Sequence, residues 1–219
     1  MRYVIVAGGT IELDFLQDFL SQRERDRMYI IACDKGYEAC EKLEVIPNLL
    51  IGDFDSAGEG AVERAIARGV KVKRLNPVKD DTDVEAALVI AMDMAASDEP
   101  IFILGGTGTR LDHVLGNIAL VAMGIKNNHF VVMKDSHNSI YVIKPNTVHL
   151  VDKQPGSYVS IFPYMGKATG VTMEGFKYPL KNATIEGFNT LTVSNEVVAD
   201  EGKIFFEGEG YLIVMETRD

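Results

Sequence analysis

The feature that most constrains the fold is a regular alternation of short apolar runs and helix-like segments over residues 3–124. Each apolar run is rich in Val, Ile and Leu, and the segment that follows repeats its apolar residues with helical spacing. Because a crossover helix joins strands that point the same way, this order predicts an α/β fold, a mostly parallel sheet flanked by helices. Strands are predicted at 3–7, 28–33, 48–51, 70–75 and 101–104, and helices at 11–20, 37–43, 60–68, 82–95 and 111–124.

The pattern changes from about His129 onward. Apolar residues then alternate along short segments that Gly, Pro and Asn separate. Such a series predicts a small antiparallel β-sandwich or barrel. We therefore predict an α/β domain over residues 1–145 and a β-sandwich domain over residues 146–219. The short strands of this region are expected at 130–133, 139–143, 157–163, 170–173, 190–193, 203–206 and 211–216.

Two acidic residues stand together in the segment 52–56, which has the sequence Gly-Asp-Phe-Asp-Ser and follows a predicted buried strand. Positions two apart in extended backbone face the same side, so Asp53 and Asp55 can converge at the strand end. Two carboxylates about 4 Å apart repel by roughly 4 kcal/mol at an effective dielectric of about 20. Water, a shared proton or a cation must offset this repulsion, and oxygen ligands at a strand end favour Mg²⁺ with substrate phosphates completing its shell. Two solvated loop aspartates are the alternative interpretation.

Polar clusters follow four predicted strand ends or precede helix starts of the first domain. They occupy residues 34–36, 52–56, 79–83 and 105–113. The active sites of open parallel sheets lie beyond the carboxyl ends of the strands. The four clusters together therefore place the candidate site at this edge of the sheet.

The cluster at 79–83 sets Lys79 and three aspartates ahead of a predicted helix. Helix capping alone explains acids there, because the helix dipole favours them by about 0.3–1 kcal/mol. Thr82 and Glu85 also have the spacing of a capping box. In the functional alternative, Asp83 supplies a third metal carboxylate and Lys79 neutralises phosphate.

The glycine-rich cluster at 105–113 ends where a helix is predicted to begin. Successive glycines let backbone N–H groups approach an anion, and the helix start adds partial positive charge, although a plain tight turn is the alternative. Arg110 carries the planar fork that pairs with phosphate or carboxylate. His113 and Asn117 are four residues apart on one helix face, where we expect the histidine to orient a neighbour by hydrogen bonding.

The second domain offers one aromatic pair and one polar pair. Phe176 and Tyr178 are explained either by ordinary packing or by an aromatic face for a flat cationic ring. Ser194 and Asn195 end the strand predicted at 190–193. They either hydrogen-bond the edge of a heterocycle or begin a turn.

Charge and cysteine content narrow the classes of function. The net charge of −10 argues against a general nucleic-acid binder, which needs a basic face, but it allows ATP, whose charge a metal ion screens. Cys33 and Cys40 match no zinc-binding pattern, and we expect two reduced thiols in a cytoplasmic protein. No apolar run reaches the roughly 18 residues that a membrane span needs, so no membrane partner is expected.

Taken in order, these segments resemble the thiamine pyrophosphokinase family, whose members are also called thiamine diphosphokinases. Each match is short, but the ordered set spans most of the chain. The matching pieces are residues 34–36, 52–56, 79–80 with 82–83, 106–113 with 116–117, 175–178 with Leu180, and 194–195.

The resemblance implies an enzyme that uses Mg²⁺ to transfer the pyrophosphoryl group of ATP to the hydroxyl of thiamine, giving thiamine diphosphate and AMP. It implies that the α/β domain binds ATP and Mg²⁺ and that the β-sandwich binds thiamine. It also implies a homodimer in which each active site is shared between the α/β domain of one subunit and the β domain of the other.

The resemblance also implies roles for individual residues. The predicted catalytic acids are Asp53, Asp55, Asp80 and Asp83, of which Asp53, Asp55 and Asp83 match the family's metal-site acids and Asp80 matches its nucleotide and phosphate side. From the chemistry of the transfer, our hypothesis is that Asp83 or Asp80 takes or orients the hydroxyl proton. The nucleotide and phosphate side comprises Asp34, Lys35, Lys79, Arg110, Asp112, His113 and Asn117. The thiamine side comprises Tyr178, Ser194 and Asn195.

Two other functions use part of the same residue set. A metal-dependent nucleotide phosphohydrolase would use the same three metal acids but would not need the pocket of the second domain. A non-catalytic thiamine- or nucleotide-binding protein would bind these ligands without turnover.

Overall fold

The computed structural model describes residues 1–21, 27–54, 60–76, 81–188 and 190–219. These residues pack as two compact units, Met1–Ser136 and His137–Asp219. The sequence predicts a boundary at residue 145 instead, so the hairpin strand at 138–143 belongs by its packing to the second unit. It stays a prediction that the first unit binds ATP and that the second unit binds thiamine.

The first unit contains six strands and five helices in its described part. They are β1 (Arg2–Val6), α1 (Leu13–Ser21), β2 (Met28–Cys33), α2 (Gly36–Lys42), β3 (Leu49–Gly52), α3 (Ala61–Ala67), β4 (Lys71–Arg74), α4 (Asp83–Met94), β5 (Ile101–Leu104), α5 (Leu111–Lys126) and β6 (Val131–Lys134). The strand order is β4-β3-β2-β1-β5-β6, and each neighbouring pair is parallel. The predicted parallel sheet with helices is therefore confirmed. In the described part of the chain, no helix combines the length and apolar character that a membrane crossing needs.

The inner strands of this sheet are buried because both of their faces are apolar. Val4, Ile5 and Val6 of β1 are wholly buried, as are Ile103 and Leu104 of β5. Strands covered by helices on both sides require such continuous apolar runs. Strand β4 is largely exposed and basic instead, which its position at the sheet edge explains.

The strand order opens a crevice between β1 and β5. The chain runs from β1 outward through β2 and β3 to β4, and it then returns to the other side of β1 with β5. At such a reversal the connections leave the two central strands toward opposite faces, which opens a binding crevice at their carboxyl ends. Residues 7–10 and 105–110 follow β1 and β5 at this place.

The second unit is antiparallel throughout its described strands. It contains β7 (Asn138–Ile143), β8 (His149–Asp152), β9 (Ser157–Tyr164), β10 (Ala168–Glu174), β11 (Leu180–Ile185), β12 (Glu201–Glu207) and β13 (Tyr211–Arg218). Strand β13 pairs with both β7 and β9, and the other four strands are ordered β11-β10-β12-β8. The predicted antiparallel β domain is confirmed.

One predicted strand of this unit is wrong and two strands were not predicted. Residues 190–193 form a turn, closed by a hydrogen bond of 3.1 Å from the Val193 N–H to the Thr190 carbonyl. The Thr192 hydroxyl is buried and donates to the Ile161 carbonyl, so the alternating apolar side chains belong to a turn that packs on β9. Strands β8 and β11 escaped prediction because β8 is short and half of the residues of β11 are polar, without regular alternation.

Two glycines of α5 provide a test of how tightly this helix packs. A Cβ on Gly124 would lie 2.1 Å from Val131 Cγ2, whereas a Cβ on Gly116 would meet no atom within 4 Å. We expect Gly124→Ala to lower the free energy of unfolding by about 1–3 kcal/mol through overpacking. Gly116→Ala, the matched control, should raise it by about 0.5–1 kcal/mol because alanine favours a helix more than glycine does. Chemical denaturation measures both, and an unchanged Gly124→Ala protein would contradict the close packing of α5 on β6.

Candidate active site

Three carboxylates meet at the carboxyl edge of the parallel sheet. Asp34 follows β2, Asp53 follows β3, and Asp83 is the first residue of α4. One oxygen from each of these acids lies within 4.8 Å of the others, and all three residues are partly buried. Distant segments of the chain therefore build one acid cluster, which we define as Asp34, Asp53 and Asp83.

Asp34 reaches this cluster because Gly52 has no side chain. A Cβ on Gly52 would lie 1.8 Å from Asp34 Oδ1, so the carboxylate occupies the space that a larger residue would fill. The Phe54 N–H donates a hydrogen bond to the same Oδ1 at 3.3 Å. Asp34 itself has a φ of 43°, in the left-handed region. The turn after β2 and the glycine at the end of β3 thus bring Asp34 into the acid cluster.

Burial and the neighbouring acids disfavour the charged form of Asp34. Burial, together with the hydrogen bond to Asp83 and the nearby charges of Asp83 and Asp53, raises the pKa of Asp34 to about 7. A metal-free cluster therefore holds a proton that a cation would displace. Carboxylate oxygens in this number suit a hard divalent cation such as Mg²⁺.

The start of α4 combines capping with the acid cluster. The Glu85 N–H donates to Thr82 Oγ1 at 3.2 Å, which confirms Thr82 as the cap. Asp83 follows Thr82 and carries its carboxylate into the cluster. Helix capping by Thr82 and a place for Asp83 in the acid cluster are therefore compatible.

The acid cluster lines a cleft of about 810 Å³ at the ends of the strands. The glycine-rich segment after β5 and the segment after β1 form further parts of its wall. Both a cation and a polyphosphate would thus share one opening. Five of the residues predicted for the nucleotide and phosphate side line this cleft: Asp34, Lys35, Arg110, His113 and Asn117.

Asn117 is hydrogen-bonded to the glycine-rich loop that forms part of the cleft wall. Its side chain is buried, and Nδ2 donates to the Gly106 carbonyl at 2.7 Å. Thr107, in the same loop as Gly106, donates from its hydroxyl to Asp135 Oδ2 at 2.8 Å. These two hydrogen bonds fix the shape of the glycine-rich loop.

Arg110 and Asp112 form a bidentate ion pair at the mouth of the cleft. Arg110 Nη2 lies 2.6 Å from Asp112 Oδ2, and Arg110 Nε donates to Oδ1 at 3.2 Å. The guanidinium holds the pKa of Asp112 down at about 2. Both side chains are exposed, so the pair adds little to stability. It keeps a cation beside the start of α5, where a phosphate can exchange for the carboxylate.

Three residues predicted for the site, Asp55, Lys79 and Asp80, lie outside the described residues. Their roles stay predictions. The family resemblance implies a nucleotide-side role for Asp34, which stays a prediction, and the structure brings its carboxylate together with those of Asp53 and Asp83. The signal that could have found this is the position of Asp34, directly after the strand next to β3.

In the second unit, Asn195 braces the backbone around Tyr178. Its amide is buried, Oδ1 accepts from the N–H groups of Tyr178 at 3.0 Å and Glu196 at 2.9 Å, and Nδ2 donates to the Tyr178 carbonyl at 2.7 Å. Both lone pairs of Oδ1 are therefore engaged. Asn195 holds Tyr178 in place, and the Ser160 hydroxyl accepts from the N–H of Ser194 at 3.0 Å.

Tyr178 presents its ring at the surface of this unit. It is 61% exposed, and Lys177 Nζ lies 5.7 Å from its centroid. Other apolar side chains of the unit are also exposed, including Phe188 at 93% and Leu191 at 60%. These side chains are accessible to a ligand or to another protein.

Comparison with known proteins gives one family for both parts of the chain. Residues 20–133 match "Thiamin pyrophosphokinase, catalytic domain", and residues 146–210 match "Thiamin pyrophosphokinase, vitamin B1 binding domain". The thiamine pyrophosphokinase of Bacillus subtilis is 33% identical over 217 residues, 98% of each chain. Its crystal structure has a TM-score of 0.88 at 32% identity, with both chains covered completely. A thiamin pyrophosphokinase from Geobacillus thermodenitrificans has a TM-score of 0.85 at 30% identity, covering 100% of this chain and 98% of that one.

The raised pKa of Asp34 predicts how the metal-free protein responds to pH. The folded state keeps a proton on Asp34 from about pH 4 to about pH 7, where the unfolded state has lost it, so the free energy of unfolding falls as pH rises through this window. Asp34→Asn removes the titrating group. We expect the variant to lose less thermal stability than the wild type between about pH 5 and about pH 8 in EDTA, and to be the more stable protein at the higher pH.

The control is Asp14→Asn, which changes an exposed acid of α1. It should keep the pH response of the wild type. Equal pH responses of Asp34→Asn and the wild type would contradict the shared-proton arrangement.

Proposed function

We propose how this chain, which belongs to the thiamine pyrophosphokinase family, carries out its reaction. It is an enzyme, a thiamine diphosphokinase, which transfers the pyrophosphoryl group of ATP to thiamine and gives thiamine diphosphate and AMP. The comparisons do not favour a nucleotide phosphohydrolase or a non-catalytic binding protein. The observation that carries the proposal for the site is the meeting of three carboxylates in the cleft.

The reaction needs alignment and charge neutralisation more than covalent catalysis. The oxygen of the thiamine hydroxyl forms a bond to the β-phosphorus of ATP while the bond from that phosphorus to the bridging oxygen of AMP breaks. The hydroxyl proton leaves to a base or to water. Correct alignment alone can supply about 7–11 kcal/mol of the barrier.

The residues that would hold Mg²⁺ are Asp34, Asp53 and Asp83, together with the predicted Asp55. Their fit is supported by the distances within the cluster and by the raised pKa of Asp34, which burial and the neighbouring carboxylates together cause. When bound, the ion supplies positive charge that neutralises the triphosphate. Asp83 or the predicted Asp80 takes or orients the hydroxyl proton.

The triphosphate would lie along the glycine-rich loop. Lys35 and Arg110 line the cleft and carry the positive charge that its described part offers to phosphate. Asp112 holds Arg110 until phosphate replaces it, and Asn117 supports the loop through Gly106. Lys79 remains a predicted further cation, and His113 is positioned at the start of α5 to orient a phosphate or ribose group.

Thiamine would bind on the second unit, with its cationic ring against Tyr178. Ser194 is exposed and precedes Asn195 in the chain, and its hydroxyl can hydrogen-bond the edge of the thiamine pyrimidine. Asn195 supports this site by holding the Tyr178 backbone rather than by bonding thiamine through Oδ1.

The chain would act as a homodimer in the cytoplasm. This proposal is supported by the exposure of Tyr178, whose ring is 61% exposed and therefore accessible to a partner subunit. In this assembly each site takes the acid cluster from one subunit and Tyr178 from the other. Cys33 and Cys40 are buried and form no disulfide, which supports a reducing compartment.

The reaction is tested by following nucleotides by chromatography after incubation with ATP, Mg²⁺ and thiamine. We expect AMP and thiamine diphosphate in equal amounts and no AMP without thiamine. Asp83→Asn should lower kcat by about a hundredfold or more, because the charge stabilisation that a metal site supplies is worth several kcal/mol. Asp93→Asn, an exposed acid at the other end of α4, is the matched control and should leave kcat unchanged.

Three results would contradict the proposal. Phosphate release that does not need thiamine would indicate a hydrolase. ADP as the product would indicate transfer of one phosphate. An Asp83→Asn protein with the wild-type rate would remove the acid cluster from the mechanism.

Shared sites are tested by mixing two inactive variants. Asp83→Asn spoils the acid cluster and Tyr178→Ala spoils the thiamine side, so a mixed dimer would keep one intact site of its two. Because half of randomly mixed dimers are of this kind, activity at limiting thiamine should recover to about a quarter of the wild-type value. Each variant alone, treated in the same way, is the control, and a mixture no more active than its components would rule out sharing.

A further inference from the structure

The loop that carries Asp53 contains a backbone conformation that bulky residues avoid. Phe54 has a φ of 66°, in the left-handed region. Such strain persists only where the surroundings hold it, and it is concentrated at functional sites. The conformation directs the Phe54 N–H toward Asp34, with which Asp53 shares the acid cluster. Whatever holds Phe54 therefore also holds two acids of the cluster together.

Strand β4 holds this loop by two contacts. The Leu75 N–H donates to the Gly52 carbonyl at 2.9 Å, which extends the pairing of β4 with β3. Arg74 lies opposite Gly52 in the register, and its guanidinium carbon is 5.2 Å from the centroid of the Phe54 ring. The Phe54 ring also packs against the buried core of the first unit. The ring is thus held between the core and a cation.

We propose that Arg74 is a positioning residue for the acid cluster, which acts by stacking on Phe54 and so holding Asp53 and the Phe54 N–H in place. This inference rests on the proposed role of the cluster as a Mg²⁺ site. Arg74 does not line the cleft, so it acts through Phe54 and not by touching ATP.

An ordinary explanation of Arg74 is edge protection. Strand β4 lies at the edge of the sheet, and exposed basic residues there discourage pairing with other chains. Lys71 and Lys73 meet that need on one face of the strand, while Arg74 points to the other face because side chains alternate along a strand. Edge protection requires no stacking on Phe54, so the two explanations differ in what they predict for Mg²⁺ binding.

The test compares Arg74→Gln with Lys73→Gln, which removes the same charge from the opposite face of the same strand. One readout is the Mg²⁺ concentration that gives half-maximal activity. The other uses no substrate: the Mg²⁺ concentration that gives half of the thermal stabilisation. We expect both concentrations to rise about two- to fivefold in Arg74→Gln, as the strength of an exposed cation–π contact implies. At saturating Mg²⁺, kcat and the KM for thiamine should match the wild type.

Two further variants connect the effect to the ring. Arg74→Lys keeps a cation on the strand and should recover part of the loss. In a Phe54→Leu background, which keeps apolar packing without a ring, Arg74→Gln should cause no further change, because contacting residues couple in a double-mutant cycle. Full additivity of the two substitutions would overturn the inference.

The remaining outcomes separate this inference from the proposed function. A wild-type protein that shows no Mg²⁺ response would overturn the Mg²⁺ role of the cluster and this inference with it. A wild-type response that Arg74→Gln shares would overturn the inference alone. A loss in Lys73→Gln equal to that in Arg74→Gln would assign the effect to surface charge and overturn it as well.

Discussion

The meeting of three partly buried carboxylates is the constraint on which the site of the first unit depends. Asp34, Asp53 and Asp83 bring their oxygens within 4.8 Å of one another, and burial together with the two neighbouring acids raises the pKa of Asp34 to about 7. A protein gains nothing in stability from such an arrangement without a cation. Its persistence shows what the surrounding structure is built to do: it keeps acids together that would separate if they were free.

The backbone of the first unit holds the three acids close together. Asp34 and Asp53 follow adjacent parallel strands, so their backbone positions are set by the ladder between β2 and β3. The space above Gly52 admits the Asp34 carboxylate, and α4 begins where Asp83 faces both acids. The burial of the apolar strands therefore stabilises an electrostatically unfavourable site, which is the usual relation between a rigid scaffold and a charged active site.

The second unit solves a different problem, the exposure of an aromatic ring in a defined orientation. An exposed side chain cannot be fixed by burial, so the backbone beneath it must be fixed instead. Asn195 does this with three hydrogen bonds around Tyr178 from a buried position. Asn195, which the sequence predicts on the thiamine side, thus supports the backbone of Tyr178.

The sequence by itself determined the parallel sheet, the antiparallel domain, the cap at Thr82 and the family, because apolar periodicity, capping spacing and ordered short motifs are local properties. Only the tertiary structure decided that Asp34 joins the acid cluster, that Asn195 braces Tyr178 and that Arg74 covers Phe54. It also turned the alternating segment 190–193 into a turn on β9. The physical reason is that these contacts join residues far apart in the chain, and their geometry is set by strand register and packing, which no local pattern encodes.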